Sequence, residues 1–98
     1  MNIDEQIIAK QKEMKVNHDW LATHPLEYDQ ASSGLHPTLP QHELNEHIMH
    51  VKIDELLEVE YELLLDEKYP NAFQPDRSAA LARATNIKAE IETIKSKI

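Results

Sequence analysis

The 98-residue chain has no cysteine, one glycine, one phenylalanine and one tryptophan. Each scarcity removes something. Without cysteine there are no disulfide scaffolds, thiolate zinc sites, iron–sulfur clusters or cysteine nucleophiles. With Gly34 as the only glycine, no phosphate-cradling glycine loop, dinucleotide fingerprint or nucleophile elbow can be built. No stretch approaches the ~18 consecutive apolar residues of a membrane span. Residues Met1 to Lys15 mix charged with apolar side chains and contain no apolar core of a signal peptide. Basic residues are scarce as well: 10 Lys and Arg stand against 18 Asp and Glu, for a net charge of −8. Recognition of nucleic-acid phosphates needs clustered bases, so direct binding to DNA, RNA or an anionic membrane is disfavoured. The expectation is one soluble, cytoplasmic domain spanning residues 1–98.

What remains is a strong helical signal, and the expected class is all-α. A first helix is expected at about residues 4–23, with Ile3, Ile7, Met14 and Leu21 on one narrow stripe and Ala9, Val16 and Trp20 in a second patch. A Pro-rich connection follows at 24–39. Pro25, Gly34 and Pro37 punctuate it, Ala31-Ser32-Ser33-Gly34 is a loop signal, and a helical turn near Pro25 to Gln30 would fit. The second helix is expected at about 39–68. Thr38 and Gln41 have capping-box spacing, Pro40 is tolerated in a first turn, and Tyr69-Pro70 stops the helix. The third follows Pro75, at about 76–98, unless an earlier turn begins at Asn71. The last two would form an antiparallel hairpin with the first helix packed on it, as a three-helix bundle or a dimeric helical bundle.

The third helix carries the clearest pattern. Ala80, Ala84, Ile87, Ile91, Ile94 and Ile98 recur at steps of 4, 3, 4, 3 and 4, a seam of the a/d type. Such a seam either faces the core of one bundle or assembles two chains. The second helix is apolar on two sides, with Leu44, Ile48 and Val51 on one and Met49, Ile53, Leu56, Leu57, Leu63 and Leu64 on the other. A helix of that kind touches two partners. At about 42 Å it overhangs a compact domain of this size, whose radius of gyration would be about 13 Å. Elongation or a homodimer follows. Glu60 lies within the second apolar group, where a base across the hairpin would be needed to pair it.

The acidity is local. Residues 43–67 hold nine acids and one base, Lys52, which equals the −8 of the whole chain, whereas residues 76–98 hold five bases and three acids. Asp54, Glu58, Glu62 and Asp66 form an i,i+4 ridge, with Glu55 beside it. The ridge is either a solvated face, partly matched by Arg77, Arg83, Lys88 and Lys95 of the next helix, or a docking strip for a basic protein.

Six histidines are many for this length. Glu43, His47, His50 and Asp54 fall on one stripe at steps of 4, 3 and 4, where imidazole and carboxylate could hold zinc. His24 and His36 of the connection could complete a site. Surface histidines paired with carboxylates explain the same pattern. His42-Glu43 and His47 read H-E-x-x-x-H, which puts the two histidines about 140° apart and forfeits the H-E-x-x-H protease geometry. The segment Asp54-Glu55-Leu56-Leu57-Glu58 is similar to the acidic helix motif of all-helical nucleotide pyrophosphatases, but the second Glu-x-x-Asp motif that would complete a magnesium site is absent. No catalytic residues and no required cofactor are assigned. The expected role is non-catalytic protein–protein interaction or assembly through the seam and the ridge. The alternatives are a small acidic inhibitor that fills the basic groove of a nucleic-acid-binding protein, as phage and mobile-element proteins do, and a His/carboxylate metal-binding protein.

Overall fold

A computed structural model of the chain describes residues 1–26, 28–31, 34–37, 40–70 and 76–98. Its helices are α1 (Ile3–Thr23), α2 (Gln41–Lys68) and α3 (Arg77–Lys95), so the architecture is all-α. The boundaries have local causes. The Asn2 side-chain oxygen accepts from the Glu5 amide at 2.8 Å, and that of Asp76 from the Ala79 amide at 3.0 Å. Each satisfies one of the orphan amides of a first turn. Pro40 takes the position before α2 in an extended conformation, so the helix starts behind it, two residues later than the sequence suggests and without a side-chain cap. The Thr38 capping box lies outside the described residues, as does the turn at Asn71. α2 stops at Lys68, where the Tyr69 amide still bonds to Leu65 and Pro70 has no amide to give.

The connection between α1 and α2 holds a short antiparallel hairpin, β1 (Tyr28–Ala31) and β2 (Gly34–Pro37), with Tyr28 opposite Pro37 and Ala31 opposite Gly34. This corrects the helical turn expected near Pro25 to Gln30. Ala31 and Gly34, the two ends of the loop signal, are paired with each other. Four-residue strands are too short for a periodicity reading to detect.

Contacts run in reverse order along both helix pairs. From α1 to α2, Asp4 meets Lys68, Gln11 meets Tyr61 and Asn17 meets His50. From α2 to α3, Asp66 meets Arg77, Glu60 meets Lys88 and Lys52 meets Glu90. Both neighbours of α2 therefore run antiparallel to it. The principal core lies between α2 and α3: Val59, Ala84, Ile87 and Ile91 are buried, with Met49, Ile53, Leu56, Leu63 and Ala80 packed around them. Of the two uses open to the seam, the structure takes the internal one, because Ala80 to Ile91 is occupied by α2 of the same chain. Ile94 is half-buried, and Ile98 lies beyond the end of α3 and is 49% exposed.

α1 packs through its expected stripe, with Ile7 buried, but meets a row of α2 that apolar spacing marks only at Leu57 and Leu64. The stripe it uses on α2 is His47, His50, Asp54, Leu57, Tyr61, Leu64 and Lys68, at steps of 3, 4, 3, 4, 3 and 4. Five of these seven meet α1 or its C-cap through polar or ring contacts. On α1, the stripe of Ile3, Ile7, Met14 and Leu21 has its gaps filled by Lys10 and Asn17, which reach Glu60 and His50 of α2. The side with Leu44, Ile48 and Val51, read as the second packing face, is left open: Ile48 is 40% and Val51 39% exposed. The molecule measures 52 × 25 × 25 Å with a radius of gyration of 16.5 Å, above the ~13 Å of a compact domain this long.

Truncating the seam should separate its buried and exposed members. Ile87→Ala should cost about 3 kcal/mol of stability by opening a cavity against α2. Ile98→Ala should change stability by less than ~0.5 kcal/mol. Urea denaturation followed by circular dichroism measures both.

Candidate functional site

The open side of α2 carries a continuous stripe. Leu44, Ile48, Val51, Glu55, Glu58 and Glu62 follow one another at steps of 4, 3, 4, 3 and 4, so one face is apolar in its first half and acidic in its second. Ile48, Val51, Glu58 and Glu62 are exposed, and Leu44 and Glu55 are half-buried. Lys52 lies 3.7 Å from Glu55 but also bonds Glu90 of α3 at 2.9 Å. Glu90 first, and then Glu55, raises the Lys52 ammonium above its ordinary pKa. Glu58 and Glu62 have no basic partner among the described residues.

The i,i+4 ridge is divided by helical geometry. Steps of four residues advance about 40° around the axis each time, so three steps carry the ridge from one neighbour of α2 to the other. Asp54 faces α1, where His18 Nε2 contacts its carboxylate. Asp66 faces α3, where Arg77 binds it at 3.4 Å. Only the middle of the ridge, Glu58 and Glu62, remains to join Glu55 on the open side. Of the four α3 bases offered as matches, Arg77 alone reaches a ridge residue; Lys88 lies 4.0 Å from Glu60, and Lys95 pairs with Glu92 of its own helix. Glu60 itself is paired from two directions, by Lys10 of α1 at 3.3 Å and by Lys88 of α3. That answers the cost of placing it among leucines.

A second cluster sits where α1 ends against the start of α2. The Trp20 ring is sandwiched between His50, with centroids 3.6 Å apart, and His24, at 4.2 Å, and His47 lies tilted beside it at 6.5 Å. Asn17 fixes His50. Its amide donates to the His50 carbonyl at 2.9 Å, while its side-chain oxygen accepts from His50 Nδ1 at 2.7 Å. Asn17 is the one buried polar side chain among the described residues, 5% exposed, and this reciprocal pairing satisfies it. His47 Nδ1 donates to the His24 carbonyl at 3.0 Å, and His24 Nδ1 to the Trp20 carbonyl at 2.8 Å. All three rings spend Nδ1 on structure, which leaves only Nε2 in each.

The proposed metal set is not drawn together. His47 and His50 turn toward Trp20, Asp54 is engaged by His18, and Glu43 lies beside His42 at 4.0 Å. Among the described residues no three His, Asp or Glu side chains are placed to share an ion. The Trp–His stack was not read from sequence. Its signal is a face shared by His47 and His50 on α2 that meets the spacing of Asn17 and Trp20 on α1 and of His24 at its C-cap.

Burial is the largest influence on His50 and holds its pKa below the ordinary 6.5; His24 and His47 act in the same direction, and Glu46 opposes them. The folded chain therefore resists a proton that the unfolded chain accepts. Stability should be at its full value above pH 6.5, fall as the pH drops below it, and level off once His50 is charged in both states. A His50→Gln variant should lose that part of the slope. Denaturation midpoints taken from roughly pH 8 to pH 5 test this.

No family model matches the sequence, and no curated protein and no solved structure matches it either.

Proposed function

We propose that the chain is a non-catalytic protein–protein interaction module whose α2 docks a basic, amphipathic segment of a partner protein. The observation that carries this reading is the open stripe from Leu44 to Glu62, apolar where Ile48 and Val51 are exposed and acidic at Glu55, Glu58 and Glu62. An amphipathic helix meets such a surface through apolar anchors at helical spacing, with its basic residues opposite the acids. The acids set the partner's orientation and speed its arrival, and the apolar half holds it once docked. Glu58 and Glu62 suit this task because they serve neither neighbouring helix, unlike Asp54 and Asp66.

Charge reversal tests the reading. Glu58→Lys with Glu62→Lys should weaken partner binding at least about tenfold, and binding by the natural chain should weaken as salt is raised. Both residues are exposed, so the fold should survive. Capture from the source cell with natural and reversed chains side by side supplies the measurement. Partners retained equally by both would overturn the assignment.

A further inference from the structure

α1 bears a second row that the chain covers only in part: Glu13 and Val16 are exposed, whereas Ala9 and Trp20 are half-buried, Trp20 between its two imidazoles. Ala9, Glu13, Val16 and Trp20 recur at steps of 4, 3 and 4, and Val16 is 71% exposed. With Ile53 and Leu57 of α2, and Lys12 at the rim, the last three of these line a mainly apolar groove of about 490 Å³. The groove lies on α1's flank of α2, apart from the open acidic stripe.

We propose that this groove is a self-association surface, in which two copies of the chain pair about a two-fold axis with their α1 helices antiparallel. Three features select a second copy as the occupant. The first is charge. Lys12 and Glu13 are adjacent at the groove, and a two-fold copy presents a carboxylate to each ammonium, so the surface complements itself. Lys12 has no ion-pair partner among the described residues, and Glu13 has only Lys10, at 3.4 Å. The second is size. The seam runs from small Ala9 to large Trp20, so antiparallel pairing sets the small end of one helix against the large end of the other. Parallel pairing would instead face Trp20 with Trp20 and Glu13 with Glu13. The third is the thinness of the core. No large side chain among the described residues is fully buried. α3 covers one side of α2 and leaves the apolar flank beside α1 open, and a second copy would cover it.

This surface is independent of the basic partner proposed for α2, so either can fail alone. Sedimentation over a concentration series tests it, with circular dichroism to confirm that each variant folds. The natural chain should shift from monomer to dimer as concentration rises. Val16→Glu, at an exposed position, should abolish the shift. Lys12→Glu should raise the dimer dissociation constant about tenfold by setting acid against acid. Lys12→Glu combined with Glu13→Lys should restore it, because exchanging the two signs preserves the complementarity. A monomer at every concentration, or a dimer indifferent to these changes, would overturn the proposal.

Discussion

Leu57 and Val59 are both buried and stand two residues apart on α2, which at about 100° per residue points them to different sides of the helix. Val59 enters the core with α3, and Leu57 lines the groove with α1. One helix must therefore be covered twice, and the rest of the architecture follows from that need. The electrostatics follow too. α2 carries nearly all of the chain's excess negative charge, so its neighbours approach with bases: Lys10 and His18 from α1, Arg77 and Lys88 from α3. Glu60 is where the two approaches meet.

The two interfaces on α2 differ in chemistry. Toward α3 the contact is aliphatic, built from isoleucine, leucine, valine and alanine. Toward α1 it is largely polar and aromatic, with Asn17, Trp20, His47, His50 and Tyr61 taking positions that a simple bundle gives to leucine. Aliphatic packing is non-directional. The Asn17–His50 exchange is directional, and it fixes the height of α1 along α2 to within one side chain. The open stripe on α2 is positioned from both sides as a result.

The sequence makes the helices legible because their signals are local: Asp76 behind Pro75, Pro70 behind Tyr69, and the seam from Ala80 to Ile91. That seam also points correctly to the aliphatic core. The docking of α1 is legible on α1 itself, in the stripe around Ile7, but less so on α2, where Leu57 and Leu64 are outnumbered in the row by histidine, aspartate, tyrosine and lysine, which count as solvent-facing in an apolar pattern. The same blindness made Leu44, Ile48 and Val51 look like a packing face. The acidic ridge was visible as a set of residues. Its division between two neighbours was not, because an i,i+4 row drifts around the helix and which members are consumed depends on where the other helices lie.

The order in which the helices pack has a consequence for how the molecule forms. α1 pairs with α2 and α2 with α3, each with its neighbour in the chain. Closing α2 on α3 spans residues 69–76, whereas closing α1 on α2 spans residues 24–40, so the α2–α3 pair carries the smaller loop-closure cost. Loop closure thus favours the pair that carries the aliphatic core, while the directional contacts of α1 lie across the longer connection.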